Sequence, residues 1–224
     1  MNSMIEQRCN GILYRVATAD DRDNVLEFIR KHYYPEEPLT TGCEPKVQDP
    51  DDEEFSISLI SHGTTIIACD PAQNDRLVGV VLSGPIGPNE ATEMIEEAER
   101  CENKSKKWAL ILRLLAYLSE NANICERFNV SKALYIHVLG VDRQMRGKSI
   151  GAQLIRKCFE AAKALDYPIV SADFSGAFSI KIAEQLHMDC VFELAYTDYK
   201  DANGQQILRP PMPHTHVKTF VKFL

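Results

Sequence analysis

The chain has 224 residues, 45% of them hydrophobic and 25% charged, with a net charge of −7. That supplies one sizeable core, and no Lys/Arg-dense block offers a surface for nucleic acid. Seven cysteines stand singly at 9, 43, 69, 101, 125, 158 and 190, which predicts free thiols, no zinc or other metal site, and a reducing, cytoplasmic setting.

The N-terminus, MNSMIEQRCN, has no apolar run of signal-peptide type. Residues 108–118, the longest apolar stretch, are too short to span a bilayer and contain Arg113. A membrane partner is therefore not expected. A first strand is predicted over 12–17. Thr18 to Asp21 has the spacing of a capping box, with Thr18 as N-cap of a helix that turns Val25, Leu26, Ile29 and Tyr33 to one face. That helix stops at Tyr34-Pro35, because the residue before proline is pushed out of the helical region. A polar, acidic loop follows, with a weak helical signal around 54–62. Strands are predicted over 64–69 and 77–83, and helices over 90–101 and 107–122.

The second half is more regular. A strand over 133–141 leads into a helix over 149–165 with Ile150, Leu154, Ile155, Cys158, Phe159 and Ala162 at core spacing. A strand over 167–174 precedes a helix over 175–186 with Phe178, Ile182, Ala183 and Leu186 inward. Strands over 190–199 and 214–223 flank a turn at Asp201 to Gly204, and the last puts Thr215, Val217, Thr219, Val221 and Phe223 on one side. There is no repeat and no linker, so residues 1–224 read as a single mixed α/β domain.

The order strand, glycine-containing loop, helix is the context in which backbone N–H groups cradle phosphate. A helix N-terminus offers unpaired N–H donors and about half a positive charge. Here the segment is LGVDRQMRGKSIGA, Leu139 to Ala152. Gly147 and Gly151 allow close approach of a ligand, and Arg146 and Lys148 add positive charge. The tripeptide GKS at 147–149 invites a nucleotide-binding P-loop reading. That pattern needs a glycine five residues before Gly147, where Asp142 stands instead.

Arg146 to Gly151 resembles the pyrophosphate loop of the GNAT acetyltransferase superfamily, with Ser149 where that family usually has its first glycine. YIHVLGVDR, 135–143, is similar to the family's fourth strand, and Gly140 is expected at the bulge that parts it from its neighbour. Two further segments narrow the resemblance. Tyr33-Tyr-Pro-Glu-Glu-Pro-Leu39 resembles the EPL motif of the insect arylalkylamine N-acetyltransferases. Ser175 and Ser179, at the start of a helix, match that family's serine pair. The tail 192–220 resembles the family's last hairpin.

The resemblance implies a GNAT acyltransferase fold: a mixed central sheet, α/β (α+β) in class, splayed between strands 4 and 5 with helices on both faces. Acetyl-CoA is the implied co-substrate, held by Leu139, Gly140, Val141, Arg146, Gly147, Lys148, Ser149, Ile150, Gly151 and Ala152. The implied reaction is transfer of acetyl to an arylalkylamine such as dopamine, serotonin, tyramine or octopamine. Polyamines or agmatine are an alternative, and a non-catalytic acyl-CoA-binding protein is another. Glu37 is the implied general base. Ser175 and Ser179 are implied to orient water or protonate the leaving thiol. Tyr33, Tyr34, Pro38 and His214 are candidates for the acceptor pocket, and His137 for an alternative proton relay. A monomer or weak dimer is expected.

Read without the family, Glu37 is a charge in a polar loop and Ser175 a helix N-cap. Between 36 and 54 there are eight acidic residues against one base, Lys46. They form either an amine-attracting rim or a solvated loop.

Overall fold

A computed structural model describes residues 6–224, so the reading of the extreme N-terminus lies partly outside it. The first strand of the sheet was not foreseen. Gln7–Cys9 (β1) pairs antiparallel with Ile12–Val16 (β2) across Asn10-Gly11, whose φ values of 50° and 82° make the tight hairpin turn. Asn-Gly before alternating apolar residues was the available signal.

Thr18 and Asp21 make the expected reciprocal box at a 3-10 turn, from which Arg22–His32 (α1) continues. The acidic stretch is no open loop. Pro38–Thr41 (α2) and Pro50–Ser58 (α3) are helical, each with proline at its start, where the missing N–H costs nothing. Ile66–Asp70 (β3) and Arg76–Ile86 (β4) follow, then Glu90–Cys101 (α4) and Lys106–Ala122 (α5). A short helix, Ile124–Arg127 (α6), was not anticipated. The remaining elements are Ala133–Val141 (β5), Ile150–Ala164 (α7), Ile169–Phe174 (β6), Ala177–Gln185 (α8), Asp189–Ala195 (β7) and His216–Phe223 (β8).

The eight strands form one sheet in the order β1-β2-β3-β4-β5-β6-β8-β7. Every pairing is antiparallel except that of β5 with β6. Every residue of β3 is buried, because both faces of the sheet are covered. Ile66 and Ala68 pack with Ile150, Leu154 and Cys158 of α7, whereas Ile67 and Cys69 pack with Val25, Phe28 and Ile29 of α1. The α5 face formed by Trp108, Ile111, Leu112 and Leu115 clusters with Leu39, Leu194, Tyr196 and Val217, bringing α2 against the last hairpin.

The decisive irregularity lies in the middle of the sheet. β5 pairs with β4 along its whole length, but with β6 only over Leu134 to Ile136. Beyond Ile136 the two parallel strands part. The accompanying bulge falls at His137, where the register jumps from Leu82 opposite Val138 to Ser83 opposite Ile136. Gly140, expected at the bulge, sits instead in regular register with Val80. Its lack of a side chain serves packing, since a Cβ there would lie 3.2 Å from Phe28 and 3.6 Å from Tyr33.

One inward assignment is corrected. Phe178 is 63% exposed, because the face of α8 turned to the core is that of Ile180 and Ala183, and Phe178 lies off it at the edge of an open cavity. Phe223 is 50% exposed at the end of β8, and Thr215 lies outside the strand.

Candidate active site

The parted strands open onto a cavity of about 570 Å³. One wall is the free end of β5, Leu139 to Val141. The floor is the loop into α7, and the opposite wall is α8 with Ser175, Ser179 and Ile182. Tyr33 and the segment Glu36 to Pro38 close the top. All the cradle residues expected from the sequence border this cavity except Lys148, whose ammonium turns back to Met145 Sδ.

The loop is built for an anion. Among the described residues, no backbone N–H from Gly147 to Ala152 finds a backbone carbonyl partner. These are the orphan donors of a helix N-terminus. A Cβ on Gly151 would meet Ile182 Cδ1 at 3.1 Å, so a side chain there would make Ile182 give way by a few tenths of an ångström. Ser149 is the N-cap at φ 60°, ψ 18°, a left-handed conformation that glycine adopts without cost. The position therefore demands what the family's glycine supplies, and serine occupies it under strain. Asp142 is buried at the loop's entry. Burial works against its charge, yet the Gln144 N–H and the Arg76 guanidinium, 2.6 Å away, hold its carboxyl below the usual range. It braces the loop from behind. Arg146 faces the cavity and pairs with Glu36 at 2.7 Å.

Glu37 stands where the cofactor-side cavity narrows. It is the N-cap of α2, and Oε1 accepts from the Leu39 N–H at 3.1 Å and from Ser175 Oγ at 2.7 Å. Burial pushes the Glu37 carboxyl up, opposed by these donors and by Tyr33, while the nearby Asp52 charge pushes the same way as burial. Ser175 is not the cap of α8; its hydroxyl is spent on Glu37, and its carbonyl accepts from Tyr196 OH at 2.7 Å. Ser179 lies on the cavity wall with its hydroxyl on the Gly176 carbonyl, so it does not join the Glu37 pair. His214 caps α8: Nδ1 accepts from the Ala177 N–H at 3.1 Å, which leaves the ring proton on Nε2. Burial holds His214 below its ordinary pKa. Pro38 and Tyr33 border the cavity. Tyr34 does not; fully buried, it donates to Asp52 at 3.2 Å and belongs to the core under α1.

A second cavity of about 570 Å³ opens on the other side of Glu37. Phe55 and Trp108 line it around the bulged His137, with Phe55 4.8 Å from the His137 ring in an edge-on arrangement. Glu90 and Glu93 stand at its wall. A small void of about 30 Å³, the throat, lies between the two spaces. It shares Tyr33, Glu37 and Ser175 with the first cavity, and Trp108, Tyr135 and His137 with the second.

Sequence reading did not single out Asp52, Asp173, Tyr135 or Trp108, all of which border the throat. Asp173 alone left a trace, as an acid in the otherwise apolar run of β6. Asp52 is hidden in a run of acids. Those eight acids are no uniformly solvated loop: Asp51 and Glu54 line the second cavity, and Glu36 and Glu37 the first. Glu53 is clamped by Arg30 through two bonds of 2.7 Å, Glu54 pairs with Arg22, Asp51 with Lys104, and Glu36 with Arg146.

A sheet parted between two parallel strands, with an anion-cradling helix N-terminus at the opening, defines a splayed-sheet acyltransferase. The model of the acetyltransferase (GNAT) family matches residues 26–187, and the chain belongs to that family. Among solved structures, mosquito arylalkylamine N-acetyltransferase like 5b is 39% identical at a TM-score of 0.89, over 95% of this chain and 100% of that one. The Drosophila melanogaster polyamine N-acetyltransferase, described as catalysing formation of N-acetylagmatine, is 36% identical at 0.89, with coverage of 95% and 100%. Arylalkylamine N-acetyltransferase 2 from Aedes aegypti is 28% identical at 0.87, with coverage of 96% and 99%. No match was found among curated protein sequences.

Proposed function

We propose that the chain transfers the acetyl group of acetyl-CoA to the primary amine of an arylalkylamine of the dopamine, serotonin, tyramine and octopamine class. The observation that carries this reading is the place of Glu37: an enclosed carboxylate at the throat between an anion-cradling cavity and an aromatic-lined one. The unpaired N–H groups of Gly147 to Ala152, with Arg146, suit the pyrophosphate of acetyl-CoA. When bound, that group supplies a thioester, an acyl carbon activated for attack.

Within this reading Glu37 takes the proton that an ammonium must lose before its nitrogen attacks the acyl carbon. A C–N bond forms, the C–S bond breaks, and the second proton that the nitrogen sheds passes to the departing thiolate by way of the α8 side, where Ser179 stands. Ser175 holds the Glu37 carboxylate in one rotamer and keeps it ionised more readily than burial alone would. No covalent link to the protein is needed, because the two cavities bring both reactants to Glu37. Phe55 and Trp108 offer the aryl group an apolar face beyond the throat.

A second reading has its own observation. Among the described residues, Glu90 and Glu93 have no ion-pair partner, and burial, with Glu93 beside it, pushes the Glu90 carboxyl up to about 7. Carboxylates in the wall of the second cavity, whose lining does not include Glu37, suit a second cationic group, as in agmatine or a polyamine. A thiol-release assay with acetyl-CoA and a panel of dopamine, serotonin, tyramine, octopamine, agmatine and putrescine tests both. Turnover of no amine refutes the enzymatic reading, and the ratio of kcat/KM for dopamine and agmatine ranks the two substrate classes.

A further inference from the structure

The throat carries an imbalance of charge. Among the described residues three carboxylates border its roughly 30 Å³, Glu37, Asp52 and Asp173, and no lysine or arginine lines it; Lys107, whose ammonium is held by the Thr40, Pro45 and Val47 carbonyls, acts on Asp52 from outside. Of the buried carboxylates elsewhere in the described residues, Glu53 has Arg30 and Asp142 has Arg76 as guanidinium partners, while Asp70 at the end of β3 is held by the Ala72 N–H and the Gln73 amide. At the throat the donors are neutral. Asp52 accepts from Tyr34 OH at 3.2 Å and Ser56 Oγ at 3.3 Å. Asp173 accepts from Tyr135 OH at 2.9 Å and Thr219 Oγ1 at 2.5 Å. His137, whose Nε2 lies 3.8 Å from Asp52, is the one basic side chain on its wall among the described residues.

Burying anions without a countercharge is costly. The cost is offset when a cation comes with the substrate. Asp173 is the member best fixed for that purpose. It projects from β6 just beyond Ala172, where the pairing with β5 ends, so its carboxylate stands in the parting of the sheet. Tyr135 on β5 and Thr219 on β8 hold its two oxygens, locking the side chain from both neighbouring strands. The arrangement leaves its remaining lone pairs for the throat. A void of this size takes one ammonium group or one or two waters.

We propose that Asp173 is a specificity-determining residue that receives the substrate's ammonium in the throat, with Asp52, and presents its nitrogen to Glu37. The inference rests on the amine-acetyltransferase reading and adds to it a basis for selecting charged over neutral acceptors. An amine arriving from the aromatic cavity meets Asp52 and Asp173 before it reaches the thioester side. Glu37 then takes one proton, and the other two carboxylates keep the nitrogen in place while it is still cationic. A neutral acceptor of the same shape gains nothing from them and leaves them unneutralised.

The test compares wild type with Asp173→Asn, which keeps size and one acceptor oxygen but removes the charge and obliges one hydroxyl partner to turn and accept from the amide NH2, and with Thr219→Val, which loosens Asp173 without entering the throat. Tyramine is the probe amine, and its alcohol analogue, 2-(4-hydroxyphenyl)ethanol, is the neutral competitor. Asp173→Asn is expected to raise KM for tyramine by at least roughly 10-fold. KM for acetyl-CoA and the inhibition constant of the alcohol should stay within about twofold of wild type, and Thr219→Val should change the tyramine KM in the same direction by less. An unchanged tyramine KM, or equal losses for amine and alcohol, overturns the proposal. If wild type turns over no amine, the enzymatic reading fails by itself. Calorimetric binding of tyramine in the presence of CoA then decides the role of Asp173, and equal affinity in wild type and Asp173→Asn, or no binding to either, rejects it.

Discussion

Ser175 Oγ donates a 2.7 Å hydrogen bond to Glu37 Oε1, joining residues 138 positions apart in the chain. The bond ties the segment after α1 to the strand–helix junction after β6, across the opening of the sheet. It also sets the basicity of the group on which the proposed chemistry depends. Burial raises the Glu37 carboxyl, and Ser175 is the first influence opposing it.

Replacing Glu37 by Gln removes the proton acceptor while keeping the shape. A fall in kcat/KM of about 10²- to 10⁴-fold is expected. Wild-type activity should rise with pH as Glu37 ionises, at a pH above the ordinary carboxylate range. The variant's profile should lack that rise, as steady-state rates across pH 5 to 9 (on the order of the range where such groups titrate) will show.

Ser175→Ala withdraws a donor from the ionised form of Glu37. The sign follows directly: the folded carboxyl becomes harder to ionise, so the rise in activity with pH moves to higher pH than in wild type. A merely structural serine would lower activity without moving the profile. The pH dependence of kcat/KM for one amine separates these outcomes.

Arg146 and Glu36 pair at 2.7 Å on the rim of the cofactor-side cavity, with both side chains about two-fifths exposed. A pyrophosphate competes with Glu36 for the same guanidinium. Arg146→Ala should weaken acetyl-CoA binding by roughly 10-fold at low salt, and by less as ions screen the contact. Glu36→Gln should tighten it by about 2- to 5-fold, since it removes the competitor. Calorimetric titration at low and high salt measures both.

Ser149 holds a left-handed backbone at φ 60°. Ser149→Gly should raise stability by up to about 1 kcal/mol, or Tm by roughly 2 to 4 °C, with acetyl-CoA affinity retained. Ser149→Val should lower it by about 1 to 3 kcal/mol, because a β-branched side chain tolerates that conformation poorly. Thermal unfolding by circular dichroism gives the order of the three proteins.

Lys107, buried on α5, donates to the carbonyls of Thr40, Pro45 and Val47 at 2.6 to 2.7 Å. It holds the segment that carries α2, and so the cap formed by Glu37. Lys107→Met should cost about 3 kcal/mol by leaving three carbonyls unsatisfied. It should also raise KM for the amine more than KM for acetyl-CoA, as thermal melts and initial-rate kinetics will report.

Periodicity and local chemistry were enough to place most elements, including Glu90–Cys101 and Ala133–Val141 at their exact ends. The glycines and cations of the loop into α7 are what the proposed anion cradle is read from, since a helix N-terminus binds phosphate through its own backbone. Asp142 excluded the nucleotide loop by its position in the pattern alone. Local signals failed where a side chain's role depends on a distant partner. Ser175 has the composition of an N-cap, yet Gly176 takes that place because Glu37 offers the hydroxyl a charged acceptor. The DDEE run reads as solvent-facing charge, yet Asp52 and Glu53 are buried, because Tyr34, Ser56 and Arg30 come to them from other turns and helices.

What the sequence by itself determined is the class of most elements and the glycine-bearing strand–loop–helix turn at 139–152, for these follow from near neighbours in the chain. Only the tertiary structure decided where the sheet parts, that the bulge lies at His137 and not Gly140, and that Glu37, Asp52 and Asp173 converge on one small throat. Those three carboxylates come from a helix cap, a separate helix and a strand. Their shared electrostatic field exists only once packing has brought α2, α3 and β6 to the same opening.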